Sequence, residues 1–267
     1  MNRIIFLGTG GARVLVFKQL LASGGLWIEQ ADTRISLDPG PGALVQIAKR
    51  KLDPTKLHAI LLSHRHLDHS ADVNTMIEAM TTGGFNRHGV VLAPREAYDD
   101  DPVILQYLRD YVRETLVIEE GGRYQIGGVT VRAPVRHDHA GEVYGFVFES
   151  AGCRWSYIAD TRYFPELADH YRADVIVMHT VRLKESEIYH LSIPDAKRLI
   201  EAVKPQTAIL THFGMTVWRA KPWEVAEQLT QETGVKVIAA RDGMRFELPG
   251  AEPPPESNGN CTISRSG

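Results

Sequence analysis

One short segment contains three histidines and one aspartate, and this concentration of metal-binding side chains constrains the chain more than any other feature. The segment lies directly after the apolar run 59–62 and reads Ser63-His64-Arg65-His66-Leu67-Asp68-His69. Imidazole nitrogens and carboxylate oxygens suit zinc, iron and manganese. The apolar run predicts a buried strand, whose end would hold the first ligand while a turn lets the others converge. A histidine-rich surface loop is the alternative, but the complete string favours a metal site.

The composition is that of a globular protein without extreme charge. The chain has 267 residues, a formal net charge of -3 and two cysteines. This balance disfavours a nucleic-acid binder that relies on sequence-independent phosphate contacts. Two cysteines without metal-binding spacing make no disulfide framework, and no apolar run is long enough to cross a bilayer. We therefore expect a cytoplasmic protein that does not bind a membrane. A small-molecule substrate that carries a phosphate stays compatible with this charge, because it needs only a local cluster of positive charge.

Predicted helices and strands alternate at both ends of the chain and enclose a strand-rich middle. Helices are predicted at 43–51, 71–80, 102–115, 194–202 and 222–233. The order β-α-β, meander, β-α-β indicates two sheets packed face to face with helices outside. We assign residues 1–250 to one domain. Residues 251–267 are rich in proline and polar residues, so a flexible tail is expected there.

The histidine-rich segment resembles the His-x-His-x-Asp-His signature of the metallo-β-lactamase superfamily. The resemblance covers residues 3–248, because further motifs follow in the family's order. The matching positions are His64, His66, Asp68 and His69 in the signature, then Asp38 upstream of it, and His139 before Gly145-Phe146, Asp160 and His212 downstream. Several separate matches in the correct order are more specific than any one of them. The resemblance implies an α/β fold, the four-layer αβ/βα sandwich.

The resemblance also implies two divalent metal ions, zinc first, with manganese or iron accepted by the same ligands. Two such ions acidify a shared water from a pKa of about 15.7 toward about 7, so hydroxide exists near neutral pH. Asp38 matches an early aspartate that supports the ligands. The implied ligand sets are His64, His66 and His139 for one ion, Asp68, His69 and His212 for the other, and Asp160 as the bridge.

Two further histidines near these motifs have more than one interpretation. His137 competes with His139 as a ligand, but strand alternation and the spacing to Gly145-Phe146 favour His139 and leave His137 a structural or supporting role. In ribonuclease Z-like and cyclic phosphodiesterase relatives, a histidine near the position of His190 donates a proton to the leaving oxygen, and the resemblance implies the same role for His190. Packing at the entry of the following helix is the alternative. We take Asp68 and His190 as the candidate catalytic residues.

Other polar positions carry weaker signals. Arg162 flanks the bridging aspartate and is a candidate for holding a substrate phosphate or carboxylate, with a local ion pair as the alternative. His179 follows an apolar run and is predicted to be a buried structural histidine. The turn Gly8-Thr9-Gly10 resembles the opening of ribonuclease Z-like members. A dinucleotide-binding turn is disfavoured because Arg13 stands where the third glycine would be.

Departures from the patterns of individual superfamily members narrow the reaction. Asp160 stands where true β-lactamases commonly have cysteine, and His66 where flavodiiron enzymes usually have glutamate. The glycine turn, His139 and His190 favour hydrolysis of a small or cyclic phosphodiester by hydroxide held at the metals. Lactone, ester or thioester hydrolysis is the alternative. Transfer-RNA 3′-end cleavage is disfavoured because the basic, glycine-rich arm of ribonuclease Z has no counterpart. A non-catalytic metal-binding module is the remaining interpretation. Dimers are common among close relatives in the superfamily, so a homodimer is one expectation for the oligomeric state.

Overall fold

The computed structural model describes residues 2–99 and 101–250, in which two mixed sheets of seven strands each pack face to face. The first sheet contains, in spatial order, β14 (Arg245–Glu247), β1 (Arg3–Phe6), β2 (Leu26–Gln30), β3 (Thr33–Leu37), β4 (Ala59–Leu61), β5 (Val90–Ala93) and β6 (Glu114–Val117). The second contains β13 (Lys236–Ala239), β12 (Thr207–Thr211), β11 (Val175–His179), β10 (Cys153–Ile158), β9 (Phe146–Ser150), β8 (Val129–Ala133) and β7 (Gly122–Ile126).

Parallel pairing is confined to one half of each sheet. Strands β3 to β6 are parallel neighbours, as are β10 to β13, whereas β1 to β3 and β7 to β10 pair antiparallel. Parallel strands need crossover connections, which the chain supplies as helices on the outer faces. Strands β11 and β12 are buried along their whole length, as expected for parallel strands covered on both faces.

The helices lie on the outer faces of the two sheets. They are α1 (Ala12–Lys18), α2 (Ala43–Lys49), α3 (Leu67–Ser70), α4 (Val73–Thr81), α5 (Leu167–His170), α6 (Ile193–Val203), α7 (Met215–Arg219) and α8 (Pro222–Thr233). Short 3-10 helices occur at Pro54–Lys56, Arg95–Ala97 and Gln106–Tyr111. A capping box of Ser192 and Asp195 begins α6, which fixes the chain just after His190.

Three apolar cores define the layers. Between the sheets, Phe148 and Trp155 are register partners on β9 and β10, and their rings stack with centroids 4.3 Å apart. A second core joins the first sheet to its helices, for example Ile60 to α4, and a third joins Ile176 of the second sheet to α6 and α8. Each fully buried large aliphatic side chain contributes about 1.5–3 kcal/mol. The layer order confirms the predicted four-layer αβ/βα sandwich.

The predicted helix at 102–115 is wrong. Gln106–Tyr111 form only a short 3-10 helix, and Glu114–Val117 pair in parallel with β5 as the edge strand β6. The β-branched residues Thr115 and Val117 favour this extended pairing, which satisfies backbone groups along the sheet edge. Helix α1 was not predicted, because it follows a glycine turn directly. The predicted tail 251–267 lies outside the described residues. Within the described ranges, no helix combines the length and the apolarity that a membrane crossing requires.

The carboxyl ends of the strands bring the polar motifs together. Asp38 follows β3, His64 follows β4 by three positions, Asp160 follows β10 by two, and His212 follows β12 directly, while His179 ends β11. In open α/β sheets, ligands bind beyond the carboxyl ends of the parallel strands. The two parallel halves therefore place all of these side chains at one edge of the sandwich.

Candidate active site

The carboxylate of Asp160 lies at the centre of the polar cluster. Asp160 is 3% exposed, and five imidazole rings from both halves of the sandwich point at its two oxygens. The distances are 2.9 Å from His179 Nδ1, 3.3 Å from His190 Nε2, 3.5 Å from His69 Nε2, 3.5 Å from His212 Nε2 and 3.9 Å from His64 Nε2. This is the position expected of a group that links two ion sites.

A first group of ligand atoms consists of His64, His66 and His139, which lie within 4.8 Å of one another. The Nδ1 of His139 donates to the backbone carbonyl of Tyr189 at 2.7 Å, so its Nε2 keeps a lone pair, 3.4 Å from Nδ1 of His66. The Nδ1 of His64 contacts the hydroxyl of Ser63 at 3.0 Å, which leaves its Nε2 directed into the site. The structure thus brings together the three residues that were predicted as one ligand set.

A second group consists of His69, Asp160, His179 and His212, again within 4.8 Å of one another. The Oδ2 of Asp68 lies 3.7 Å from Nε2 of His212 and 3.8 Å from Nε2 of His69, so the third predicted ligand of this set borders the group. His179, which the sequence presented as structural, contacts the central carboxylate. The only signal for it was its place at the end of a parallel strand.

Several buried nitrogens at this edge have no hydrogen-bond partner in the described part of the chain. They are Nε2 of His64, His69 and His212, together with Nδ1 of His190. A buried polar group left unpaired costs free energy, so such atoms call for a ligand. Neutral imidazole nitrogens that converge beside two carboxylates are a donor set for divalent zinc, manganese or iron. The residues present therefore fit the binding of divalent metal.

The charges of the site also favour cations. Burial opposes ionisation of Asp160, but His212, His179 and His190 lower its pKa well below the ordinary value. Burial likewise opposes ionisation of Asp68, yet its neighbours His69 and His212 lower the pKa of that carboxyl. Burial lowers the pKa of His64 well below its ordinary value and that of His179 to about 4, so both rings are neutral at pH 7. The site holds buried negative charge next to neutral imidazoles.

His69 is the exception, because three carboxylates surround it. Burial opposes charge on its ring, but Asp68, Asp160 and Asp38 together raise its pKa well above the ordinary value. In the absence of a cation, a proton on His69 offsets the negative charge around it. A bound divalent ion would take over that role, since ligands must release protons to bind metal.

Asp38 supports the candidate ligands through hydrogen bonds to His69 and to Ser63, the residue before His64. It is 2% exposed and has a φ of 51°. Its carboxylate accepts hydrogen bonds from the backbone N–H of Ser63 at 2.6 Å and from the Ser63 hydroxyl at 2.7 Å. It also accepts from the Tyr157 hydroxyl at 2.7 Å and from Nδ1 of His69 at 3.2 Å. Despite burial, the bonds from His69 and Ser63 lower its pKa. The bond to Nδ1 fixes the orientation and tautomer of His69, as carboxylates beside metal-binding histidines do.

The glycine turn at 8–11 packs on the site rather than on a nucleotide. A Cβ atom at Gly11 would overlap the ring of His212, and Gly10 forms a bridge with Phe213. The backbone N–H of Thr9 donates to Asp242 at 2.9 Å, which anchors the turn to the strand β13 side of the sandwich. The absence of a side chain at Gly11 is therefore required for His212 to reach the central carboxylate.

His137 lies behind the site and faces away from the ligand groups. Its Nδ1 donates to the backbone carbonyl of Asp160 at 3.2 Å, and its Nε2 accepts from the hydroxyl of Tyr171 at 2.8 Å. Burial lowers its pKa to about 3. The ring thus holds the backbone of the central aspartate in place as a neutral imidazole, the supporting role that its position in the sequence left open.

This burial predicts a pH-dependent stability of the metal-free protein. The unfolded ring takes up a proton near its ordinary pKa of about 6.5, whereas the folded ring resists protonation until about 3. Its contribution to stability is complete above pH 6.5 and is lost as the pH falls toward 3. In urea unfolding between about pH 7 and about pH 5, we expect His137→Gln to reduce the loss of unfolding free energy by up to about 2 kcal/mol. An identical pH dependence in His137→Gln and wild type would contradict this assignment, and the partly exposed His170→Ala serves as the control.

Comparison with known sequences matches this chain to one family over most of its length. The family described as "Beta-lactamase superfamily domain" matches residues 33–213. An uncharacterized protein of Methanocaldococcus jannaschii is 32% identical over 255 residues, covering 92% of this chain and 94% of that protein. A metal-dependent hydrolase of Thermoplasma acidophilum is 27% identical over 203 residues, covering 72% of this chain and 81% of the relative.

Solved structures share the fold at low sequence identity. The metallo-β-lactamase fold protein YhfI from Bacillus subtilis has a TM-score of 0.77 at 17% identity, covering 92% of this chain and 99% of its own. A diphosphatase from the PhnP family has a TM-score of 0.68 at 19% identity, covering 94% of this chain and 100% of its own. The fold and the histidine–aspartate cluster define a metal-dependent hydrolase. The chain belongs to the β-lactamase superfamily domain family.

Proposed function

We propose that this protein hydrolyses a small or cyclic phosphodiester at a site that holds two divalent cations, zinc first, with manganese or iron as alternatives. The observation that carries the proposal is the buried Asp160 carboxylate next to two groups of imidazoles, in which Nε2 of His64, His69 and His212 lacks a hydrogen-bond partner among the described residues. The fold likeness to a diphosphatase is compatible with phosphorus chemistry. The substrate would be met in the cytoplasm, as the composition suggested.

The chain's own residues divide the work of binding. His64, His66 and His139 would hold one cation, and Asp68, His69 and His212 the other, with Asp160 between them and His179 orienting its carboxylate at 2.9 Å. When bound, the two cations supply an acidified water and positive charge opposite the developing charge on the substrate. Asp38 and His137 keep His69 and the backbone of Asp160 in fixed orientations. Such supporting bonds raise the precision of a site.

His190 is the proposed donor of the proton to the leaving oxygen. Its Nε2 lies 3.3 Å from Asp160, its Nδ1 is one of the buried unpaired nitrogens, and its side chain is 19% exposed. The ring therefore contacts the central carboxylate and is only partly buried, which favours a role in the site over packing at the helix entry alone. It also forms a possible ligand group with His139 and Asp160, so a proton donor must be distinguished from a ligand by experiment.

Ester or lactone hydrolysis is the second candidate, because apolar side chains are exposed next to the site residues. Leu67 is 72% exposed between His66 and Asp68, and Ile188 and Tyr189 are 45% and 41% exposed just before His190. A surface of this kind would receive an acyl chain, which a small cyclic phosphodiester lacks. The same cations would then act on a carbonyl.

The two candidates are separated by loading the protein with zinc and with manganese and assaying bis(p-nitrophenyl) phosphate beside an acyl lactone. We expect phosphodiester turnover that disappears in Asp68→Ala, with metal content measured for both proteins. The exposed Asp169→Asn is the matched control and retains activity. Lactone turnover without phosphodiester turnover, at full metal occupancy, contradicts the first candidate and supports the second. No turnover of either substrate at full occupancy favours a binding module.

A further inference from the structure

The side chain of Arg162 packs against the segment 187–190, which passes the active site between β11 and α6. Its guanidinium carbon lies 3.8 Å from the centroid of the Tyr189 ring, and its Nη2 donates to the carbonyl of Glu187. The backbone N–H of Arg162 donates to the carbonyl of Asp138 at 2.9 Å. Arg162 is therefore anchored just after the central aspartate and reaches the segment from there.

This segment touches two histidines of the site. The carbonyl of Tyr189 accepts the hydrogen bond from Nδ1 of His139 at 2.7 Å, and the next residue, His190, has its Nε2 3.3 Å from Asp160. Which nitrogen of a histidine binds metal is decided by the hydrogen bond that the other nitrogen makes. The position of the Tyr189 carbonyl thus decides whether Nε2 of His139 presents its lone pair to the first ligand group.

The segment has no regular secondary structure to hold that carbonyl in place. Residues 184–189 are exposed, and the ring of Tyr189 is 41% exposed. A segment without ladder hydrogen bonds opens easily and depends on its side-chain contacts for position. The planar guanidinium can stack on an aromatic face and donate to a carbonyl at the same time, which a lysine ammonium does less well. Arg162 makes both contacts on neighbouring parts of this segment.

We propose that Arg162 is a positioning residue for the metal centre. By holding the Tyr189 ring and the Glu187 carbonyl, it keeps the Tyr189 carbonyl against His139 and so sets the affinity of the His64, His66 and His139 group for its cation. This role rests on the proposed two-cation site, concerns metal binding alone, and holds whichever ester the protein hydrolyses.

Metal affinity in four variants tests the proposal. Competition with a chromophoric chelator, and the visible spectrum of the cobalt-loaded protein, are measured for Arg162→Gln, Arg162→Lys, Tyr189→Leu and Tyr189→Phe. We expect Arg162→Gln and Tyr189→Leu to lower the affinity for one of the two cations by about 10- to 100-fold and to change the cobalt spectrum of that site. Arg162→Lys should also bind that cation less tightly than wild type. Tyr189→Phe should keep an affinity close to wild type, because it keeps the aromatic ring and the backbone carbonyl.

A different set of results overturns the proposal. If Arg162 binds the substrate directly, Arg162→Gln raises KM while both cations bind as in wild type, and Tyr189→Leu has no effect on metal affinity. Equal losses in Tyr189→Phe and Tyr189→Leu contradict the role of the ring face. Thermal unfolding of the metal-free variants shows whether each variant is folded. If Arg162→Gln does not fold, the comparison of Tyr189→Leu with Tyr189→Phe, at an exposed position, still tests the proposal.

Discussion

Replacing Asp160 by asparagine should abolish the stabilisation that divalent cations give this protein and lower kcat/KM by more than about 10³-fold. Loss of a single charge-stabilising group typically costs about 10²–10³-fold. Asp160 lies 3.5 Å from Nε2 of both His69 and His212 in the second group and 3.9 Å from Nε2 of His64 in the first group. Asparagine keeps the shape but removes the negative charge that two cations would share. Thermal unfolding with and without zinc, together with metal analysis, measures the effect.

The expected shift in melting temperature follows from mass action. A cation at about 100 times its Kd stabilises the folded state by about 2.7 kcal/mol, which corresponds to about 5–10 °C for a domain of this size. Wild type and the surface variant Asp169→Asn, whose side chain is 75% exposed, should both show the shift. A variant at position 160 that still binds two cations with the full shift would show that this carboxylate does not link the two ion sites.

The candidate ligands are predicted from one local string and from separate motifs that follow it in the superfamily's order. His64, His66, Asp68 and His69 lie in one segment, so their convergence required only the turn after β4. Asp160 and His212 are predicted because the motifs around them resemble those of the superfamily and follow the string in the family's order. The two-sheet architecture follows from the order of the predicted elements, because crossover helices between apolar strands leave few other arrangements.

Contacts between distant segments were beyond a single sequence. The hydrogen bond from the Tyr157 hydroxyl to Asp38 joins the two sheets across 119 positions. Neither residue alone indicates the other, because the bond depends on how the sheets are packed. The contact of Arg162 with Tyr189 has the same character. The sequence predicts a structural role for His179, since a lone histidine has no spacing that separates a ligand or an orienting group from a packed side chain.

The predicted helix at 102–115 failed for a related reason. Its apolar residues are compatible with a helical period, but Glu114–Val117 gain more from extending the first sheet beside β5. Tertiary pairing of this kind overrides local preference, since strand propensity mostly reflects the neighbours that a strand finds. The site was not affected, because β6 contributes no residue to it.

His190→Ala should distinguish good leaving groups from poor ones. A positioned general acid contributes about 10²–10⁴-fold when the leaving oxygen needs a proton. We expect a loss of that size for an alkyl phosphodiester such as a cyclic one, and a much smaller loss for bis(p-nitrophenyl) phosphate, whose p-nitrophenolate leaves without protonation. Both substrates are assayed with wild type, with His190→Ala, and with the partly exposed His170→Ala, which should match wild type.

Metal analysis of the same proteins separates the two roles that the geometry allows for His190. A ring that only donates a proton leaves two cations bound in His190→Ala, because the ligand groups around Asp160 do not need it. A ring that serves as a ligand with His139 and Asp160 would instead lower the metal content of His190→Ala. The loss of activity would then be equal for the two substrates, because hydrolysis of both would need the bound metal. Equal losses with metal lost would therefore assign His190 to the metal centre, whereas unequal losses at full occupancy assign it to the leaving oxygen. The 3.3 Å contact between His190 Nε2 and Asp160 is compatible with proton donation to the leaving oxygen. The Asp160 carboxylate would orient the His190 ring, while the unpaired Nδ1 of His190 lies buried beside the site.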